Sequence, residues 1–255
     1  MNASLTFRDA LAAANGGGHA LRGAWIASGS VVCAEIVASS GMGFVLIDAE
    51  HSPVGLSETT HLLQAVHGYG AVPLVRMPAN GVVLIKQFLD AGARNVVIPM
   101  VNTADDAESA VAATRYPPHG VRGVGSALAR SSLWNGVPNY LERASDFVSL
   151  SVQIETAQAV SNAKEIIGVD GVDSVFIGPS DLAASMGYLG KQSQPEVVDA
   201  VLSVISLARA AGKFVGVNAF DPAMAAKYVG AGAQYVCVTA DVTMLASGMR
   251  EAANP

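Results

Sequence analysis

Two carboxylates in this chain stand where a divalent cation could be held. Glu155 ends the apolar run Leu150-Ser151-Val152-Gln153-Ile154-Glu155, Asp181 ends the run Val175-Phe176-Ile177-Gly178-Pro179-Ser180-Asp181, and one helix-length segment separates them. This is the pattern of a βαβ unit, whose parallel strands lie side by side or nearly so and bring both acids to their C-terminal ends. Gln153 lies on the same approach and adds a third oxygen-bearing side chain to a set suited to a hard cation. The competing reading has both acids merely capping or preceding helices, since Ser180 and Asp181 are good N-cap types.

With only two protein carboxylates, such a cation keeps open positions for water and a bidentate, oxygen-rich ligand, as is usual for Mg²⁺ or Mn²⁺. A 2-oxo acid fits this, chelating through its carboxylate and keto oxygen. Backbone N–H groups around Gly178 to Asp181, at a helix start, can receive the remaining negative charge, so Gly178, Pro179 and Ser180 are substrate-binding candidates. Gln153 and Trp25, the latter in the first strand-length run, complete the substrate-binding set.

Three more residues at predicted strand ends can do chemistry. Arg76 is an always-charged group in a charge-poor segment, so its burial requires a partner. It is either half of a structural ion pair or a donor to a developing enolate oxygen. Of five histidines only His51 falls at a predicted strand end, and Asp48 three positions earlier could orient its ring and raise its basicity as a general base. None of the five lysines falls at such an end, which argues against a Schiff-base mechanism.

The elements that must position these residues are legible as alternation. Apolar runs recur near 23–27, 43–48, 72–77, 95–100, 148–155, 174–178, 214–218 and 235–239, and helix-period segments such as 57–70, 81–91, 103–115 and 195–211 lie between most of them. Glycine marks the return from helix to strand at Gly41, Gly92 and Gly232, supplying the left-handed conformation that closes a helix. Eight such units favour an α/β fold closed as a (β/α)₈ TIM barrel, here one domain over residues 1–255 with a short N-terminal helix. A nucleotide-binding sheet lacks its fingerprint, since Gly123-Val124-Gly125 does not continue to a third glycine. The irregular stretch 116–146, with a short helix expected from Pro138, is too long for an ordinary connection and should cover the site or bind a neighbouring subunit.

Composition narrows the partners. Hydrophobic residues make up 51% and charged residues 14%, so much surface should be buried between subunits of a homo-oligomer. A net charge of -6 with scattered Lys and Arg excludes a nucleic-acid footprint. No apolar run spans a bilayer and no secretory leader is evident, so a cytoplasmic location is expected. Cys33 and Cys237, without metal-ligand or redox spacing, read as buried thiols.

The same residues resemble the HpcH/HpaI aldolase family of metal-dependent pyruvate aldolases, which includes 4-hydroxy-2-oxoheptanedioate and 2-dehydro-3-deoxyglucarate aldolases. The resemblance rests on six ordered motifs spread over nearly the whole chain: 46–51, 85–93, 98–101, 113–118 with 122–125, 153–155 and 176–182. It implies a barrel of the phosphoenolpyruvate/pyruvate type and a divalent cofactor, Mg²⁺, Mn²⁺ or Co²⁺, on Glu155 and Asp181. It further implies that Gln153 orients water or substrate, that His51 with Asp48 transfers protons, and that Arg76 contacts the keto or enolate oxygen. The expected partners are a 2-oxo acid, pyruvate or hydroxypyruvate, and an aldehyde. The family is typically hexameric, with a C-terminal helix packing on a neighbour; here that helix, after Asp241, is expected to be short. The rivals are a citrate-lyase β-like enzyme acting on an acyl-CoA, for which no basic cluster is seen, and a non-catalytic 2-oxo acid binder on an aldolase scaffold.

Overall fold

In a computed structural model describing residues 6–254, eight parallel strands close into a barrel in sequence order. They are β1 (Leu21–Ile26), β2 (Phe44–Asp48), β3 (Val72–Arg76), β4 (Asn95–Ile98), β5 (Ser149–Ile154), β6 (Ser174–Ile177), β7 (Phe214–Asn218) and β8 (Tyr235–Ala240). Helices α1 (Phe7–Gly16), α2 (Val31–Ser39), α3 (Leu56–Ala65), α4 (Val82–Asp90) and α5 (Ala104–Thr114) belong to the first half. They are followed by α6 (Tyr140–Arg143), α7 (Ala157–Ser161), α8 (Ala163–Gly168), α9 (Pro179–Ser185), α10 (Pro195–Ala210), α11 (Pro222–Gly230) and α12 (Asp241–Ala253).

Strand β2 explains the two-sided core. Its residues are all buried, and alternation sends Val45 and Ile47 outward against the helices while Phe44, Leu46 and Asp48 point into the barrel. The inner layer is aromatic near the strands' N-terminal ends. Phe7 of α1 plugs that end, 5.4 Å from the Phe44 ring and 5.0 Å from the Tyr235 ring, and its N–H donates to Asn95 Oδ1 at 2.7 Å. Thr6 and Asp9 cap α1 reciprocally and so fix where Phe7 enters. Gly216 is required on the inner wall, because a Cβ there would run into the Tyr235 ring. With the bottom plugged, the open mouth is at the strands' C-terminal ends.

Gly41, Gly92 and Gly232 all have positive φ, as their helix-closing role demands. Some expectations are corrected. The β5–β6 crossover is two short helices, α7 and α8, joined at Asn162, rather than one. Helix α6 starts at Tyr140 after a left-handed Asn139, not at Pro138. Helix α12 runs thirteen residues and is not short. Cys237 is buried but Cys33 is partly exposed, so only the former is a core thiol. The long 116–146 segment does not cover the mouth of its own barrel. It follows the lower end of α5 and is tied to the lower end of α4, where the fully buried Arg122 donates to Asp90 at 2.7 Å and Arg130 to Ala91 O at 3.3 Å. No helix among the described residues is long and apolar enough to cross a membrane.

Candidate active site

Asp48 and Arg76 are register partners, the last residues of adjacent strands β2 and β3. The pairing brings the guanidinium against the carboxylate: Nε donates to Oδ1 at 3.0 Å and Nη2 to Oδ2 at 2.9 Å. The third guanidinium nitrogen, Nη1, lies 3.0 Å from Glu50 Oε2, and the guanidinium carbon sits 4.3 Å from the Trp25 ring centroid. Arg76 is 6% exposed and Asp48 5%, so the charge is held in place from three sides. Arg76 is thus half of a buried ion pair, and the same residue also lines a cavity at the barrel mouth.

That cavity has a volume of about 220 Å³ and is lined by Trp25, Ala27, Asp48, His51, Arg76, Gln153, Phe176, Gly178, Ser180, Asp181, Asn218, Phe220 and Ala240. Eight of the ten candidates read from the sequence share this wall. The remaining two, Glu155 and Pro179, are buried just behind it. Pro179 is the first residue of α9, where its ring pre-sets the helix and its missing N–H costs nothing. Leu182 N–H makes the first helical bond, to Gly178 O, so the N–H groups of Ser180 and Asp181 have no acceptor within the helix.

Glu155 follows β5 and is 2% exposed. Its Oε1 accepts the Met100 N–H at 2.8 Å and its Oε2 accepts from Gln153 Nε2. Met100 takes the left-handed conformation, φ 55°, to aim that N–H. Burial nonetheless pushes the Glu155 carboxyl up to about 7; the Met100 N–H and Gln153 oppose this, while Asp181 and Glu50 add to it. Glu50 is likewise raised, by burial first, against the opposing charges of Arg76 and His51.

These features fit a hard cation. A buried carboxyl that is costly to ionise, with Asp181 close enough to raise it further, lacks positive charge, and Gln153 Oε1 is buried without a hydrogen-bond partner. Gly178 keeps the space open, since a Cβ there would lie 2.9 Å from Glu155 Oε2 and 3.0 Å from Gln153 Nε2. Among the described residues no three His, Cys, Asp or Glu side chains are grouped for metal binding.

One expected pairing is not formed. Asp48 does not hold the His51 ring; it accepts the His51 backbone N–H at 3.3 Å and gives its oxygens to Arg76. The carboxylate nearest the ring is Glu50, 3.9 Å from Nε2, and the ring itself is 63% exposed. The physical reason is competition: the Arg76 guanidinium, set beside Asp48 by the β2–β3 register, takes both carboxylate oxygens in a bidentate pair that a single imidazole nitrogen cannot match. Sequence reasoning assigned no role to Glu50, Phe176 or Asn218: Glu50 places a carboxylate against Arg76, Phe176 lines the cavity, and Asn218 Oδ1 accepts a hydrogen bond from Trp25 Nε1 at 2.8 Å. Asn218 was findable, being a polar residue at the end of a predicted strand.

The HpcH/HpaI aldolase/citrate lyase family matches residues 22–247. A 4-hydroxy-2-oxo-heptane-1,7-dioate aldolase from Salmonella heidelberg (strain SL476) is 48% identical over 242 residues, covering 95% of this chain and 90% of that protein. An HpcH/HpaI aldolase/citrate lyase family protein from Burkholderia cenocepacia J2315 is 37% identical with a TM-score of 0.90, over 95% of this chain and 96% of that one. An HpcH/HpaI aldolase from Desulfitobacterium hafniense DCB-2 is 27% identical with a TM-score of 0.88, over 98% and 96%. On these matches, and with the barrel they share, the chain belongs to the HpcH/HpaI aldolase/citrate lyase family.

Proposed function

We propose that this chain is a divalent-cation-dependent aldolase, cleaving a 4-hydroxy-2-oxo acid to an aldehyde and pyruvate or hydroxypyruvate, and forming the same bond in reverse. The observation that carries this reading is the buried Glu155 carboxyl, raised to about 7 beside Asp181 and the unbonded Gln153 Oε1, at the edge of a cavity that also holds Arg76 and His51. Relatives named as aldolases at 48% identity support it.

Glu155 and Asp181 would hold the cation, which when bound supplies a Lewis acid for negative charge appearing on the substrate's keto oxygen. Gln153 orients the 2-oxo acid, and the N–H groups of Ser180 and Asp181 receive its carboxylate. Arg76, fixed by Asp48, donates an N–H that neither Asp48 nor Glu50 takes toward the keto oxygen as it gains charge. His51 takes the proton from the 4-hydroxyl. The C3–C4 bond then breaks, its electron pair moving into the enolate as the aldehyde leaves, and protonation at C3 gives the 2-oxo acid. Trp25, Phe176 and Phe220 exclude water from the cavity wall. The exposed Val32 and Ile36 of α2, with Met244, Leu245 and Met249 of adjoining α12, form an apolar face that packs on other copies in the proposed homo-oligomer.

Incubating the purified protein with pyruvate or hydroxypyruvate and a panel of aldehydes, with Mg²⁺, Mn²⁺ or Co²⁺ and then with chelator, tests the reading. Aldol product that depends on added cation is expected; undiminished product after complete cation removal would overturn it.

A further inference from the structure

The polar residues given work in the proposed reaction stand at or just beyond the ends of β2, β3, β5 and β6. The rest of the cavity wall is Trp25, Ala27, Phe176, Asn218, Phe220 and Ala240, and none of these six side chains is charged. Apart from the Trp25 indole N–H, the Asn218 amide is the one polar side-chain group among them. Asn218 is the last residue of β7 and Arg76 the last of β3, four strands apart in a closed barrel of eight, so the two stand on opposite sides of the mouth.

A neighbour fixes which way that amide is turned. An indole N–H can only donate, so the atom 2.8 Å from Trp25 Nε1 must be the amide oxygen, and Nδ2 is directed away from the indole. Asn218 is half-buried, and its Nδ2 makes no hydrogen bond with any described residue and is not sealed from solvent. A donor held in place and unpaired on a cavity wall is matched by an acceptor on whatever fills the cavity.

The surroundings favour a neutral acceptor. Asp241 takes the Ala27 N–H at 2.9 Å and the Ser28 N–H at 3.2 Å, so the turn after β1 offers neither group to an anion and already holds a carboxylate. A charged group on the far part of a substrate would find a single neutral donor there, whereas a hydroxyl or ether oxygen is satisfied by it. At about 220 Å³ the cavity is smaller than the roughly 300 Å³ at which sites for drug-sized ligands begin, so the ligand is short.

We propose that Asn218 sets the aldehyde preference of this chain, its Nδ2 donating to a neutral oxygen carried close to the reacting carbonyl of a short aldehyde. The inference rests on the aldolase reading and names the substrate class of that same site.

The test is kcat/KM for methoxyacetaldehyde and for butanal, equal in length and differing by an ether oxygen in place of a methylene. It is measured with pyruvate or hydroxypyruvate and saturating Mn²⁺, in the full-length protein, Asn218→Leu and Asn218→Asp. Comparing the ratio of the two values between proteins cancels the aldehydes' intrinsic reactivities. That ratio is expected to fall about five- to tenfold in both variants, the worth of one net hydrogen bond. Asn218→Asp keeps an oxygen for the Trp25 N–H but has no N–H to donate, and its near-identical shape keeps the test open if Asn218→Leu fails to fold. With both variants folded, a fall in Asn218→Leu alone would mean that Asn218 acts by anchoring Trp25, and a fall in Asn218→Asp alone that added charge is responsible; either overturns the proposal, as does an unchanged ratio. Turnover of neither aldehyde by the wild type would overturn the aldolase reading itself, and this inference with it.

Discussion

Asp48 grips Arg76 through both carboxylate oxygens because the parallel register of β2 and β3 sets the two residues side by side at the barrel mouth. The pair is nearly dry, at 5% and 6% exposure, so neither charge can be removed without stranding the other. The guanidinium thereby becomes a fixed electrostatic element rather than a mobile side chain.

Asp48→Ala is expected to destabilise the fold by about 3–5 kcal/mol, the usual result of leaving one half of a buried pair. Urea unfolding measures it. Arg76→Lys keeps the charge but loses the fork, and the aldol rate should fall about 10²–10³-fold. A lysine variant with full activity would mean that a point charge suffices at this position.

His51 is exposed and makes no hydrogen bond through its ring to Asp48, so its removal should spare the fold. His51→Ala is predicted to lower kcat by about 10²–10⁴-fold with an unchanged melting temperature, as for loss of a general base. A loss of stability equal to the loss of rate would assign the histidine a structural role instead.

The Glu155 carboxyl gives the cation-free protein a pH signature. Its value is raised from 4.5 to about 7, chiefly by burial, so ionising it costs folding free energy. Stability from this group is complete below 4.5 and is lost as pH rises through about 7. Melting temperature in chelator should therefore decline across that window, and Glu155→Gln should flatten the decline. A rise over the same range in the wild type would contradict the assignment.

At the plugged end of the barrel, Gly216→Ala should cost about 1–3 kcal/mol, because the added methyl meets the packed Tyr235 ring. Differential scanning calorimetry would register this as a drop of about 2–4 °C per kcal/mol for a chain of this size. No change would mean that the ring has room to move.

What could be read from the sequence was what period and position encode. Eight apolar runs separated by helix-period segments yield the barrel, since buried parallel strands such as Phe44–Asp48 are continuous hydrophobic stretches closed by polar ends. Most of the cavity wall followed from position too, because inward-pointing residues at the C-terminal ends of barrel strands, such as Asp48 and Arg76, lie at the mouth. Partner choice was not legible. Whether Asp48 holds His51 or Arg76 depends on register between β2 and β3, and sequence spacing favours the nearer residue. The place of the 116–146 segment was equally hidden: its anchor, Arg122 on Asp90, spans thirty-two positions. The burial of Glu155 against Gln153 and Gly178 was hidden as well, because it depends on how the ends of β5 and β6 pack.

Mn²⁺ binding by the chelator-treated protein, followed by its paramagnetic resonance in wild type, Glu155→Gln and Asp181→Asn, tests the central claim most directly. One site per chain in the wild type, with affinity falling below about pH 7 as Glu155 takes up its proton, and loss of that site in both variants, is the predicted result. Equal Mn²⁺ affinity in wild type and the Glu155→Gln variant would contradict it.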